Sequence, residues 1–506
     1  MQNAATLPTD IAVLHQLLLE QQQMIESLKA QLLRSLKRQF GPRNEYVNVD
    51  QLGLFIADDS QVIVIPADEE SEDTKPASDH STSAPRKKAL QVLKDLPREI
   101  RVIDLPESEK ICPCCGKPMH AIGQDCSEQI AYVPASVKII ETQRQKYVCR
   151  SCPDQIYRAY NDSPAPLAKS MASASLLAFL IVSKFADGLP LYRIAKRLER
   201  LGIELSHALM SDWLVQCAEL LEAVYQRMLA KVLASGHVFT DDTVLPLQNR
   251  DPERKTTIKA RLWVYARHQR QSKPLVVYEF SRSRSRETAV NRFRDYRGYI
   301  QADAYPAYDI LFGNPEIKEV ACMTHARRKY VEVADLMKEP GRPHEAIAFI
   351  NKLYRIERQI KSLNDEGRYQ QRQERSVPVL NQFKAWLDVQ ANAILPKSAL
   401  GTAISYTLKN WDALCRYTEQ GYLEIDNNFA EQCMRPVAVG RKAFLFVGSE
   451  RGGKAAAIYY SLMESCKVNQ VNPLTYMTYL LSNVRNKNVT LLLPDEFTAS
   501  RIEQIG

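Results

Sequence analysis

His237-Val238-Phe239-Thr240-Asp241-Asp242-Thr243 is where the pattern of this chain changes. Upstream, apolar residues recur at helical spacing. From here they come in short β-branched and aromatic runs. Val238-Phe239-Thr240 reads as a strand followed by two adjacent carboxylates. Leu262 to Tyr265 and Leu275 to Phe280 read as further strands, and Glu287 to Tyr296 as a helix. Tyr299 to Ala302 and Ile317 to Cys322 give two more strand candidates, and residues 326–410 read mostly helical. The sequence thus predicts a mixed α/β block interrupted by a helical insert.

The strand-then-Asp pattern occurs twice, because Asp303 follows Tyr299-Ile300-Gln301-Ala302. A third acidic region runs from Glu424 through Asp426, Asn427 and Asn428 to Glu431. Carboxylates at adjacent strand ends, completed by one from a helix, hold two Mg²⁺ a few ångströms apart. One Asp at a strand end is more often a turn residue or a helix cap. The repetition, in the order expected of a ribonuclease-H-like sheet, makes this set worth weighing. Around it the chain is basic. Residues 281–300 hold six arginines against Glu287 and Asp295. Thr324-His325-Ala326-Arg327-Arg328-Lys329 follows a buried-looking strand, and Arg441-Lys442 and Arg451 to Lys454 flank the end of the block. Arg forks suit phosphate oxygens, whereas charge runs in general are solvated surface.

Outward toward the N-terminus, residues 164–235 read helical. A basic helix (Arg193, Lys196, Arg197, Arg200) is broken by Gly202, and Ser206 is placed to cap the next one. This is either a DNA-reading helix-turn-helix or an ordinary helical hairpin. Before it, Cys112-x-x-Cys115 and Cys149-x-x-Cys152 are separated by 33 residues. Two such knuckles supply the four thiolates of a closed, structural zinc site. A redox pair, or Cys114 or Cys126 standing in for one ligand, are the other readings. Residues 58–88 carry seven acids before the first basic residue, then Pro, Ser and Thr, a composition that cannot bury enough apolar surface to order itself. Such a run either mimics DNA or is simply solvated. Ile11, Leu14, Leu18, Ile25, Leu28 and Leu32 form a heptad seam, read as a short oligomerising coiled coil or as an amphipathic helix packed on its own chain.

Composition sets the outer limits. With 506 residues, 45% hydrophobic and 25% charged, the chain is neither wholly disordered nor collagenous nor membrane-spanning. The net charge of +8 permits a nucleic-acid partner without requiring one. An odd count of 11 Cys argues against a secreted disulfide framework. The first ten residues show no signal-peptide pattern, and the longest apolar run, Leu176 to Val182, is too short for a bilayer. A cytoplasmic protein with no membrane partner is expected.

Read together, these signatures resemble those of the insertion-sequence-66-type bacterial transposases over nearly the whole chain. They include Phe40 to Glu45, Leu96 to Arg98, Leu189 to Arg193, Asp241 to Thr243 and Ala302 to Tyr305. His325 to Arg328, Ile425 through Glu431, Gly440 to Lys442, Phe446 to Ser449 and Ala456 to Ser461 follow in order. The resemblance implies a DDE transposase, with a ribonuclease-H-like core and the triad Asp241, Asp303 and Glu431 holding two catalytic Mg²⁺. It implies cleavage and 3′-hydroxyl strand transfer at the ends of a mobile element, and a structural Zn²⁺ on Cys112, Cys115, Cys149 and Cys152. The family usually has Asp-Glu-Thr at the first motif, where this chain has Asp242. His325, Arg327, Arg328, Asp426, Asn427, Arg441 and Lys442 are expected to bind DNA phosphates or to position the site. The partners it implies are double-stranded DNA at element ends and target, further copies of the chain as a homo-oligomer when DNA is bound, and accessory element-encoded proteins. The resemblance also implies a cytoplasmic, nucleoid-associated protein in a bacterial cell. The alternatives are a catalytically inactive zinc-containing DNA-binding protein and a nuclease of the same fold that only hydrolyses.

The expected organisation is a multidomain α/β chain. It comprises a leucine-rich coiled coil at 1–45, an acidic linker at 46–95 and a four-cysteine zinc module at 96–160. A helical DNA-binding region at 161–235 follows, then the catalytic core at 236–450 with its insert at about 326–410, and a C-terminal helical segment at 451–506.

Overall fold

The computed structural model describes residues 136–143, 146–149, 152–158, 165–168, 170–249, 257–270, 272–337, 340–486 and 489–497. The expected coiled coil, acidic linker and first cysteine knuckle lie outside these residues. The chain divides into two units, Met1–Phe40 with Val137–Gly506 and Gly41–Ser136. The elements below all belong to the first.

Strands β1 (Lys146–Cys149) and β2 (Cys152–Arg158) form an antiparallel hairpin whose register pairs Cys149 with Cys152. Four helices follow: α1 (Ala174–Phe185), α2 (Leu191–Glu199), α3 (His207–Leu220) and α4 (Glu222–Leu233). Ser206 caps α3 by accepting the Leu209 amide at 3.2 Å, as its position before the apolar run predicts. Helix α2 buries Ile194 and Leu198 and leaves Arg193, Lys196 and Arg200 exposed.

The central sheet has five strands: β3 (His237–Val244), β4 (Arg261–Arg267), β5 (Leu275–Ser281), β6 (Gly298–Ala302) and β7 (Ile317–Ala321). Their spatial order is β5-β4-β3-β6-β7. β3–β4 and β4–β5 run antiparallel, and β3–β6 and β6–β7 parallel. Leu262 to Ala266 and Leu275 to Tyr278 are fully buried, so β4 and the first half of β5 are covered on both faces, which is why they read as continuous apolar runs rather than alternations. Helix α5 (Arg286–Phe293) joins β5 to β6. Gly298 opens β6 at φ +123°, and a Cβ there would meet the Gly236 carbonyl oxygen at 2.4 Å. Tyr299 donates to that same oxygen at 2.9 Å. Only glycine lets the backbones approach this closely, and the contact fixes the register of β6 against β3.

Beyond the sheet come α6 (Met323–Ala334), α7 (Arg342–Ile360), α8 (Asp365–Gln371), α9 (Val377–Ala393), α10 (Ala399–Lys409) and α11 (Trp411–Cys415). They supply the helices expected of the insert. Helix α12 (Asn428–Phe444) returns to the sheet, and α13 (Glu450–Val468) lies along the edge strand β5. There the Ser465 hydroxyl accepts the Val276 amide and donates to the Val276 carbonyl, both at 2.9 Å, and the Ser461 hydroxyl accepts the Tyr278 amide at 2.8 Å. These bonds satisfy the outward backbone groups that an edge strand otherwise offers to another chain. Helix α14 (Pro473–Asn483) packs on α1. Among the described residues no helix is long and apolar enough to cross a membrane.

Candidate functional site

One detail of the strand reading is corrected. Asp241 and Asp242 do not follow β3; they lie inside it, paired with Val264 and Trp263 of β4. The antiparallel ladder with β4 continues to Val244, whereas the parallel ladder with β6 ends at Phe239↔Gln301. Asp303 lies one residue past the end of β6 and Asp241 two residues past the last β3–β6 pair, so both acids stand at the same end of these neighbouring strands. The chain leaves β6 after Ala302, and Ala304, the residue after Asp303, takes the left-handed conformation at φ 59°. For a non-glycine residue this costs roughly 1 kcal/mol.

Side chains alternate along β3, so the two acids point apart. Phe239 and Asp241 share one face. Phe239 packs edge-on against Phe429 of α12, with ring centroids 5.5 Å apart. Glu431 follows in the first turn of that helix. Asp242 shares the other face with Thr240, which bonds the Tyr308 hydroxyl at 2.9 Å. The Asp242 carboxylate is held by Arg261 at 2.9 Å and by Arg284 at 2.8 Å, and Arg284 also stacks on the Tyr305 ring at 3.7 Å. The unusual second letter of the motif is therefore an ion-pair partner facing away from Glu431.

The three acids sense one another. Burial, then the charge of Asp303, then that of Glu431 push the Asp241 pKa up to about 7, against a hydrogen bond from the Asp242 amide at 2.7 Å. Burial raises Asp303, opposed by Arg284. Burial also raises Glu431, opposed by Arg328 and reinforced by Asp303. Carboxylates held together at such cost suit a cation. Glu431 Oε1 is buried without a hydrogen-bond partner.

Glu431 sits in the first turn of α12, and the approach to that helix is tightly anchored. Asn427 donates to the Thr240 carbonyl at 2.9 Å. Gln301 donates to the carbonyls of Glu424 and Asp426 at 2.7 and 2.8 Å. Asp426 accepts the Asn428 amide at 3.1 Å and the Asn428 side chain at 2.9 Å, and burial pushes its pKa up to about 7. Its carboxylate is thus spent on the start of α12. The insert grips the same segment from behind. Glu357 of α7 pairs with Arg368 and Arg372 at 3.2 and 2.7 Å, and Arg368 pairs with Glu424 at 3.1 Å. Arg372 donates to the carbonyls of Tyr417, Gln420 and Leu423. Sequence reading missed this network, since an Arg in a charged helix looks like surface; here Arg372 is fully buried.

The remaining predicted residues divide. His325 Nδ1 lies 3.7 Å from Glu431 Oε1 and Arg328 3.9 Å from Glu431 Oε2. Burial lowers the His325 pKa to about 4, with Arg328 and Lys329 adding to the effect, so the ring is neutral. Arg327 contacts Asn351 at 3.2 Å. Arg441 donates to the Val244 carbonyl at 2.6 Å and so closes off the end of β3, while Lys442 is exposed. Among the described residues, one set of three donors lies within 4.8 Å of one another: Cys322, His325 and Glu431. The Asp241–Asp303–Glu431 set is more open. Cys322 was overlooked in the sequence, although Cys322-Met323-Thr324-His325 has metal-knuckle spacing. At the other knuckle the backbone brings Cys149 opposite Cys152.

Comparison with known proteins matches residues 169–455 to a family model described as "Transposase IS66 family". Residues 109–153 match the "zinc-finger binding domain of transposase IS66", a span that contains Cys112, Cys115, Cys149 and Cys152. Residues 27–101 match "Transposase C of IS166 homeodomain". The chain is 34% identical to the uncharacterized protein y4jD of Sinorhizobium fredii over 98% of both chains. It is 31% identical to y4hP of the same organism, over 79% of this chain and 74% of that one. For y4qI the identity is 32%, over 79% and 76%.

Proposed function

From a chain that belongs to the transposase IS66 family, we propose that it cuts DNA at the ends of its element and joins the freed 3′-hydroxyl to a target, using Asp241, Asp303 and Glu431. The observation that carries this is the convergence of two neighbouring strands and one helix on three mutually repelling carboxylates. The strand order β5-β4-β3-β6-β7, with its first three strands antiparallel and the last two parallel, supports a ribonuclease-H-like core.

Two Mg²⁺ held by these acids would neutralise the charge developing on the attacking and leaving oxygens of phosphoryl transfer. The chain's own part is placement. Asp241 and Asp303 stand at the same end of the neighbouring strands β3 and β6. Asp426, Asn427 and Gln301 dock α12 so that Glu431 faces them. Arg261 and Arg284 pair with Asp242 and so offset the charge it adds to Asp241 and Asp303. His325, Arg327, Arg328 and Lys442 offer donors to the DNA strand, and Arg441 holds the strand end. No Ser or Tyr nucleophile is needed, since in-line positioning and charge neutralisation suffice. Under this reading the four-cysteine module and the basic face of α2 hold DNA, and the N-terminal segment pairs two protomers once the ends are bound.

The test is a duplex carrying an element end, incubated with the protein, Mg²⁺ and a target plasmid. The proposal expects joined products that require a free 3′-hydroxyl. Cut strands without joining would reduce the activity to hydrolysis, and no Mg²⁺-dependent product would leave a DNA-binding protein.

A further inference from the structure

Cys322 is the last residue before α6 and His325 lies in its first turn. The His325 amide donates to the Cys322 carbonyl at 3.2 Å. This tight turn presents both side chains to the start of α12, where Glu431 meets them. The His325 Nδ1 and Glu431 Oε1 atoms face each other at 3.7 Å, and neither has a hydrogen-bond partner although both are buried. A protein does not normally leave two buried polar atoms so close and unbonded. In a tetrahedral zinc site with sulfur, nitrogen and oxygen ligands at their usual bond lengths, donors stand roughly 3.5 Å apart. The three donors here all lie within 4.8 Å, so a shift of about 1 Å closes them on one ion.

We propose that Cys322 Sγ, His325 Nδ1 and Glu431 Oε1 form a site for a thiophilic divalent ion of the zinc class. It shares Glu431 with the carboxylate set, so that zinc and the catalytic metals compete for one ligand. The site itself follows from geometry alone; the competition rests on the role given to Glu431 above.

The donor chemistry selects the ion. Sulfur and imidazole suit zinc, whereas magnesium prefers an all-oxygen octahedron. On binding, the Cys322 thiol gives its proton to solvent and the sulfur bonds the metal, while neutral His325 and ionised Glu431 each supply a lone pair. A metal must replace the proton of the buried Cys322 thiol, which only an ion with strong affinity for thiolate does near neutral pH. An imidazole that carries its proton on Nε2 presents the Nδ1 lone pair to a metal. Cys322 also accepts the Asn427 amide at 3.2 Å, which orients the sulfur at the junction leading into α12. Three protein ligands leave a fourth position for water, so the site is reversible in a way that a four-cysteine site is not.

The experiment counts zinc. Full-length protein is dialysed against buffered free zinc, and bound metal per chain is measured for wild type, Cys322→Ser, His325→Ala and Glu431→Gln. Circular dichroism and the melting temperature identify the folded variants. Each should hold one zinc fewer than wild type, with the zinc assigned to the four-cysteine module retained. A folded Cys322→Ser or His325→Ala with wild-type zinc content overturns the site. A folded Glu431→Gln with wild-type content overturns the shared ligand. In parallel, the same free zinc should suppress Mg²⁺-supported strand cleavage by wild type, and Cys322→Ser should escape that loss; equal suppression of both counts against the competition. A wild-type protein that cleaves nothing in zinc-free buffer refutes the catalytic reading, and the zinc count still decides the site.

Discussion

Replacing Asp241 with Asn should stabilise the metal-free protein at alkaline pH. Burial and the charges of Asp303 and Glu431 push the Asp241 pKa to about 7, from an ordinary value of 3.8. The folded state therefore keeps the proton over a range in which the unfolded chain has lost it. Stability falls as pH rises wherever the folded state binds more protons, so the loss begins near pH 4 and is complete above pH 7. Roughly three units at 1.36 kcal/mol each make this on the order of 4 kcal/mol at pH 8. Asparagine has no charge to desolvate, and its side-chain oxygen can still accept the Asp242 amide. The assay is thermal denaturation of wild type and Asp241→Asn in chelator at pH 5 and pH 8, then at pH 8 with Mg²⁺. The variant should melt a few degrees above wild type at pH 8, with a smaller gap at pH 5. Added Mg²⁺ should raise wild type and leave the variant nearly unmoved, because a cation relieves the same repulsion. A variant less stable than wild type at pH 8, or one that Mg²⁺ stabilises equally, would refute the reasoning.

Gly298→Ala places a Cβ 2.4 Å from the Gly236 carbonyl oxygen at a positive φ, so β6 must shift against β3. DNA cleavage should fall far more than DNA binding, read by cleavage and mobility-shift assays on one substrate. Arg372→Met removes one member of the buried Glu357–Arg368–Arg372 group and should cost about 3–5 kcal/mol in urea denaturation, because Glu357 loses a buried partner. Cys112→Ser combined with Cys149→Ser should remove one zinc per chain by metal analysis, and an unchanged content would dismiss the four-cysteine site.

The sheet was legible because its strands carry the residues that strands need. Leu262 to Tyr265 and Leu275 to Phe280 are apolar, β-branched or aromatic with few interruptions, and Leu262 to Tyr265 and Leu275 to Tyr278 are buried on both faces. The two-helix unit around Gly202 and Ser206 was legible for a different reason, since capping is local chemistry. What the sequence could not display was direction. That Asp241 and Asp242 face opposite sides follows from strand alternation, but only once β3 is known to run through them to Val244. The anchoring of α12 was also hidden. Asn427 was expected to bind DNA or position the site, but its partner was not legible, and Gln301 and Arg372 were not singled out; all three act on backbone carbonyls of distant parts of the chain, which leave no mark in side-chain pattern. Helix α13 reads in the sequence as a separate C-terminal segment. It is buried from Ala455 to Cys466 with no polar face, so it lacks the amphipathic stripe that would have announced its packing on β5.

The central claim is that Asp241, Asp303 and Glu431 act together on DNA. It is tested most directly by Asp241→Asn, Asp303→Asn and Glu431→Gln, each assayed for Mg²⁺-dependent cleavage and strand transfer on an element-end substrate, alongside binding to the same duplex. Loss of both reactions in all three, with binding retained, is the predicted result. Wild-type cleavage by any one of them would contradict the account and remove that residue from the site.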